Sequence, residues 1–176
     1  IAHVGRTRLY LLDTNLEQNT PRARAITARL YGGDTEDRIR QEVVLGIGGS
    51  QLISLLGLKP ELYHMNEGHS AFLALAQCAE LIQRHALSPD QALAIVRESH
   101  LFTTHTPVAA GNDLFGRDLV VRYLKPYADE IGVEIDQVLR LGRVNQDDEH
   151  EAFSMSVLGL RTTGISNAVS QLHGEV

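Results

Sequence analysis

The chain has 176 residues, of which 43% are hydrophobic, with a formal charge of −6 and one cysteine, Cys78. This length and composition predict one globular domain with a real core, and the acidic balance argues against a dedicated nucleic-acid binder. One cysteine staples nothing within the chain, and no apolar run approaches the ~18 residues of a bilayer span, so a membrane protein is not expected and a reducing cytoplasm is.

The first residues, Ile1-Ala2-His3-Val4-Gly5-Arg6, read as mid-strand with no initiator Met. The last, Leu172-His173-Gly174-Glu175-Val176, continue a helical pattern, so a piece of something longer is expected. Arg8-Leu9-Tyr10-Leu11-Leu12 is a short apolar run that stops at the turn-prone Asp13-Thr14-Asn15, which predicts a buried strand and a loop. Thr20-Pro21 supplies an N-cap and a first-turn proline for a helix carrying Arg22, Arg24 and Arg29 and ending at Gly32-Gly33. Those arginines suit a solvated face better than a phosphate site. Asp34 caps a long helical stretch, with Ile39, Val43 and Ile47 on one line, that ends at Gly57 before Pro60. Gly46-Ile47-Gly48-Gly49 lies inside that helical period rather than between a strand and a helix. Close packing, a bend or a break is therefore expected there ahead of a phosphate cradle.

Leu62-Tyr63-His64-Met65 predicts the second strand, followed by the polar turn Asn66-Glu67-Gly68-His69. The helix behind it has Phe72, Leu75, Ala79 and Ile82 at three- and four-residue spacing, with Cys78 as a buried small hydrophobe. Ser88-Pro89-Asp90-Gln91 is a capping box with proline in the first turn. Leu101-Phe102-Thr103-Thr104 predicts the third strand and again ends on a polar turn, His105-Thr106-Pro107. Helices are predicted over 118–131 and 134–141, and the acidic run Asp147-Asp148-Glu149-His150-Glu151 reads as a solvated loop. Val157, Leu158 and Leu160, then Ile165, Val169 and Leu172, mark two more helical segments. Strands alternating with helices in this way favour an α/β fold, a parallel sheet with helices on both faces.

Three predicted strand ends carry the candidate chemistry: Asp13/Asn15, Asn66/Glu67/His69 and His105/Thr106. In a parallel sheet such ends share one edge and converge on one crevice. His64/His69 and His100/His105 straddle strand ends rather than a helix face, and no His-Glu-x-x-His is present, so no metal site is expected. There is no Gly-x-Ser-x-Gly elbow, while a carboxylate pair of Glu67 and Asp13 for glycoside hydrolysis stays open. Short polar side chains of both donor and acceptor type suit sugar hydroxyls, and the paired lysines and arginines that a phosphate wants are missing. The residues alone reach as far as a polyol-binding face of an α/β domain.

Five stretches are familiar together. Tyr10-Leu11-Leu12-Asp13-Thr14-Asn15, Arg29-Leu30-Tyr31-Gly32-Gly33-Asp34, Arg40-Gln41-Glu42-Val43-Val44-Leu45-Gly46-Ile47-Gly48-Gly49, Tyr63-His64-Met65-Asn66-Glu67-Gly68-His69 and Phe102-Thr103-Thr104-His105-Thr106-Pro107-Val108 resemble, in family order, the α-glucan (glycogen and maltodextrin) phosphorylases of the short bacterial and archaeal-type branch. The terminal segment from Ser166 to Val176 looks like the one that closes their N-terminal domain. The resemblance implies that residues 1–176 are part of a single N-terminal glucan-binding domain, truncated at both ends, of a Rossmann-like GT-B glycosyltransferase. It implies cleavage of α-1,4-glucan ends with inorganic phosphate to give glucose 1-phosphate. It also implies pyridoxal 5′-phosphate held by a C-terminal domain that this chain lacks, so the chain alone is expected to be inactive.

By the same resemblance, His105 contacts the glucosyl unit at the cleaved bond, and Thr106 beside it binds substrate. Asn66, Glu67 and His69 lie on the acceptor-sugar side, Asp13 and Asn15 on a mobile gating loop, and Asn167 and Val169 on a helix approaching the glucosyl pocket. No residue of this chain is expected to hold the cofactor or a metal. Two positions depart from the pattern: Asn112, where the family has His, and Ala168, where Gly is usual. The implied partners are an α-1,4-glucan or maltooligosaccharide and phosphate, with a homo-oligomer left open and neither nucleic acid nor membrane. A non-catalytic sugar-binding module, and a glycogen-synthase-like transferase using a sugar nucleotide, are the alternative readings.

Overall fold

The computed structural model describes residues 1–30, 33–105 and 112–171. The chain starts with an antiparallel hairpin, β1 (Ala2–Val4) and β2 (Thr7–Leu9), turned at Gly5, whose φ of 61° suits a residue without Cβ. The buried strand expected at Arg8–Leu12 does not form. Thr7–Leu9 pairs within the hairpin and is exposed, and Tyr10, Leu11 and Leu12 belong to no strand. Leu11 and Leu12 instead line a groove opposite Val44, Leu45 and Leu52.

Helix α1 (Pro21–Arg24) starts as expected, with Ala23 N donating to Thr20 Oγ1 at 3.3 Å, but it stops after one turn instead of running to the glycines. Its arginines are engaged by the protein itself. Arg22 pairs with Glu36 at 3.0 Å, and Arg24 Nε donates to Asn15 Oδ1 at 2.8 Å. Asp34 caps α2 (Thr35–Val43) by accepting from Asp37 N at 2.9 Å. The rod continues through a π turn (Val44–Gly48) into α3 (Gly49–Leu55), and Gly57, at φ 66°, ends it.

The glycine run thus widens a continuous helix and opens no loop. Close approach explains it: a Cβ on Gly46 would stand 2.8 Å from the Leu73 nitrogen and 2.8 Å from Phe72 Cβ, at the start of α4 (Phe72–His85). Gly46→Ala is therefore expected to destabilise by about 1–3 kcal/mol through overpacking. Gly49→Ala, with nothing within 4 Å of its Cβ, is expected to be neutral or to stabilise by up to about 1 kcal/mol. Thermal unfolding midpoints of the two variants check the contrast.

Beyond the rod come β3 (Tyr63–Asn66), a 3-10 turn (Gly68–Ser70), α4, α5 (Pro89–Glu98), β4 (His100–Thr104) and β5 (Leu114–Phe115). Then follow α6 (Arg117–Glu130), α7 (Ile135–Leu141), β6 (Phe153–Ser154), α8 (Met155–Arg161) and β7 (Ile165–Ala168). The capping box at Ser88 closes on both sides, Gln91 N to Ser88 Oγ at 3.3 Å and Ser88 N to Gln91 Oε1 at 3.0 Å. The main sheet is parallel and three-stranded, in the order β3-β4-β7. Its third strand corrects the expected terminal helix. Ile165 and Val169 fit one helical stripe, but Ile165–Ala168 extends and completes a ladder on β4 that a short local period cannot match.

Alternation along the strands sorts the two faces. Met65 and Phe102 are buried against Leu73 of α4. The Phe102 ring also closes on Gly159 of α8, where a Cβ would come within 2.5 Å. The other face carries His64, Asn66, Thr103 and Asn167 and is open at His64 and Asn66, where the sequence predicts a second helical layer. The larger core lies between helices, with Ile39, Phe72, Val120, Leu124, Leu139, Phe153 and Leu158 buried. Cys78 is half-buried on α4, and burial pushes its thiol up to about 12, which leaves almost no thiolate at neutral pH. Among the described residues no helix is long and apolar enough to cross a membrane.

Candidate functional site

Parallel strands end side by side, so β3, β4 and β7 deliver three segments to one edge. Asn66 ends β3, His105 follows β4, and Val169 follows β7 with its N–H donating to Thr104 O at 3.1 Å. His105 Nε2 lies 3.0 Å from Asn66 Oδ1. An amide oxygen only accepts, so Nε2 is the donor here and Nδ1 is the ring nitrogen left to accept. Thr103 Oγ1 donates to Asn167 Oδ1 at 2.6 Å, and with its one proton used it accepts from His64 Nε2, also at 2.6 Å. The Asn167 amide therefore offers its N–H₂ end.

Glu67 behaves differently from its neighbours. Its φ of 57° with ψ of −176° is a conformation that glycine favours, and the residue is 6% exposed. Its Oε1 accepts from the His105 backbone N–H and from Thr104 Oγ1, the latter at 3.2 Å. Its own N–H donates to Thr103 O at 2.9 Å. A carboxylate held in this way fixes the backbone of His105. Gly68 then packs against α8, where a Cβ would stand 2.7 Å from Met155 Cβ.

His69 joins a second group. Arg38 donates to Asp113 through Nη2 at 2.7 Å and Nε at 3.4 Å, and to Glu42 Oε1 at 3.3 Å. His69 Nδ1 lies 3.2 Å from Asp113 Oδ2 and 3.7 Å from Glu42 Oε1. Its hydrogen bond to Asp113, then the Glu42 carboxyl 3.7 Å away, push His69 up to about 9, so the ring is an imidazolium at neutral pH. Burial is the largest single influence on Asp113, yet His69 and Arg38 outweigh it and hold that carboxyl well below the usual range. Burial pushes Glu42 up to about 8 despite the nearby His69 ring. Donor atoms of Glu42, His69 and Asp113 lie within 4.8 Å of one another, a set that a divalent ion could share. Arg38 Nη2 already stands among them, 3.2 Å from His69 Nδ1, and supplies the positive charge.

Asn112 and Asp113 are tied to the start of α8. Ser156 Oγ donates to Asn112 Oδ1 at 2.7 Å, and Met155 N to Asp113 O at 3.1 Å. That bond gives Asn112, the departure from the family pattern, a role of its own.

Other expected members fall elsewhere. Because β2 is outside the main sheet, Asp13 and Asn15 stand at no end of it. Asp13 Oδ1 accepts from Asn15 N at 2.9 Å and from Thr27 Oγ1 at 3.1 Å, and Thr27 shares with His69 a cavity of about 300 Å³. The loop thus flanks the His69 side. Of the pair considered for glycoside hydrolysis, Glu67 accepts from Thr104 Oγ1 and Asp13 from Thr27 Oγ1. Asn167 lies on a strand and Val169 just after it, not on the expected helix. Thr106 lies outside the described residues. His100 is buried, stacked on Tyr63 with Nδ1 2.6 Å from Val96 O, on the face opposite His64.

Sequence reasoning missed Arg38, Glu42, Asp113 and Thr103. The Arg38/Glu42 spacing of four on one helix was a usable signal. Nothing local marked Asp113.

No family model matches the chain. Over its whole length it is 41% identical to a glycogen phosphorylase of Mycobacterium tuberculosis, of which it spans 21%. It is 42% identical, over 99% of its length, to a maltodextrin phosphorylase of Thermococcus litoralis, spanning 20% of it, and 39% identical to a glycogen phosphorylase of Aquifex aeolicus, spanning 25%. The chain therefore spans about a fifth to a quarter of the length of these curated relatives. The likeness first carried by separate motifs is a homology along the whole chain to one segment of these proteins.

Proposed function

We propose that this segment, homologous throughout to part of the glycogen and maltodextrin phosphorylases, forms the sugar-facing wall of an α-glucan phosphorylase's active-site crevice, within the N-terminal half of a GT-B-type, cytoplasmic glycosyltransferase. The reaction is attack of inorganic phosphate on the terminal α-1,4 bond of a glucan, releasing glucose 1-phosphate and a shortened chain. The observation that carries this reading is the convergence of Asn66, His105 and Asn167 on one edge of a parallel sheet, presenting donors and acceptors in alternation.

In this reading His105 accepts a hydroxyl of the terminal glucosyl unit at Nδ1, with its ring turned by Asn66 and its backbone fixed by Glu67. Asn167 donates from its N–H₂ end, and the segment at Val169 closes the same edge. His69, as an imidazolium, donates to the departing glucan. Asp13 and Asn15 flank the cavity beside it, and Thr106, next in sequence to His105, remains a substrate-binding candidate by resemblance alone.

The described residues do not fit a pyridoxal phosphate site. Lys125 is paired with Asp129 on α6, and Lys59 precedes β3 at the opposite end of that strand. The cofactor belongs in this proposal to chain beyond these residues, and no step here is routed through it.

The test is to purify the full-length protein with pyridoxal phosphate, supply maltoheptaose and phosphate, and measure glucose 1-phosphate. Release of product supports the reading. Glucan elongation from a sugar nucleotide without phosphorolysis, or maltoheptaose binding without turnover, would replace it with the synthase-like or the binding-module reading.

A further inference from the structure

We propose that Arg38, Glu42 and Asp113 are positioning residues for His69, clamping Nδ1 of its ring so that the imidazole meets glucan hydroxyls in one fixed orientation. For its sugar readout this rests on the phosphorylase reading; the clamp itself is argued from geometry.

Three separate segments build it. Arg38 and Glu42 project from adjacent turns of α2, His69 from the 3-10 turn, and Asp113 from the stretch before β5. Arg38 grips both carboxylate oxygens of Asp113, a fork-to-fork geometry that lysine cannot reproduce. Asp113 Oδ2 also takes His69 Nδ1–H, so one oxygen couples the guanidinium to the ring. Arg38 is steadied in turn by Gln41 Oε1 at 2.8 Å, and Gln41 Nε2 bonds the carbonyls of Ile26 and Arg29 at 3.0 Å each. Asp113 is held from behind by the backbone bond to Met155.

Glu42 is the informative member. It is 1% exposed, its Oε1 faces Arg38 and His69, and its Oε2 has no hydrogen-bond partner among the described residues. A helix facing a core gains more from an apolar residue at such a position than from an incompletely bonded carboxyl. A carboxyl at this position fits a task at the imidazole. The His69 side chain stays 26% exposed beside the 300 Å³ cavity, so one end of the ring is clamped while the residue still borders open space.

The test uses the full-length protein and two readouts. Histidine C2–H exchange followed by mass spectrometry reads the His69 titration without substrate, and initial rates read KM and kcat for maltoheptaose. Asp113→Asn is expected to lower the His69 midpoint by at least one pH unit, a tenfold loss of proton affinity. It should raise KM about tenfold at pH 7, with a smaller change in kcat. Arg38→Lys should raise KM in the same direction, while Glu42→Gln, which keeps the shape and one acceptor, should give an intermediate shift.

An unchanged His69 midpoint in Asp113→Asn, or a shifted midpoint with unchanged KM, overturns the clamp. If the wild-type protein shows no phosphorolysis, the phosphorylase reading fails and the titration alone decides the clamp: a shift supports it, none overturns it. Should Asp113→Asn not fold, Glu42→Gln carries the same two criteria.

Discussion

Phe72→Ala is expected to remove about 3–5 kcal/mol of folding stability, out of the roughly 5–15 kcal/mol typical of a domain. Phe72 is fully buried and opens α4, immediately behind the turn that carries Asn66, Glu67 and His69. Its Cβ is the group that Gly46 makes room for in the π turn, and its ring meets Phe153, just before α8, at 6.2 Å between centroids. One side chain therefore joins the α2–α3 rod, the polar turn and the start of α8, so the cavity left by alanine has little freedom to collapse. Urea unfolding of the chain by circular dichroism should show a lower midpoint with an unchanged slope. A loss under about 1 kcal/mol would mean that the helices close over the gap. Phe72→Leu, which keeps most of the volume, should lose far less.

What the sequence made legible follows the range of the interactions. Caps are local chemistry, and the ones at Thr20, Asp34 and Ser88 form as read, because side chain and amide lie within three residues. The strands at Tyr63 and His100 were legible to within a residue, as was the polar end of each. The errors came where distant partners decide. Arg8–Leu12 has the composition of a core strand, but nothing in its own residues reveals that the sheet's third position is filled by Ile165–Ala168. Moving that strand also changed the candidate site: Asn167 gained a place on the edge through Thr103, and Asp13 lost the one it was expected to have. Arg38 and Asp113 lie 75 positions apart, and no spacing rule joins an arginine on a helix to an aspartate before a two-residue strand. The glycine run was legible as close packing, though not that a π turn would supply it.

Glu67 bears most on function. On the proposed phosphorylase reading, Glu67→Ala in the full-length protein is expected to lower phosphorolysis by about 100-fold, the scale on which an ångström of misplacement at a reacting group is felt. The sequence presents Glu67 as a sugar ligand, but its carboxylate is turned inward onto the His105 N–H and Thr104 Oγ1. The backbone around it is held at φ 57°, at a cost of about 1–3 kcal/mol for a residue other than glycine. Glycine would remove that strain, so a non-glycine residue here calls for a benefit from the side chain. Two substitutions separate the strain from the benefit. Glu67→Gly should be more stable than Glu67→Ala by about 1 kcal/mol, because only glycine adopts this φ freely. The two should nevertheless be equally poor in turnover, since both leave the His105 amide without its acceptor. Glu67→Gln keeps one acceptor oxygen without the charge and should fall only about 10-fold, in line with the weaker neutral hydrogen bond. Thermal midpoints and initial rates on the same preparations would read both scales. Wild-type turnover in Glu67→Gly would mean that His105 needs no latch, and Glu67 would then be explained neither by strain nor by sugar contact. Loss of activity with a gain in stability relative to Glu67→Ala is the signature of a carboxylate kept at an awkward backbone position because it aims the histidine beside it.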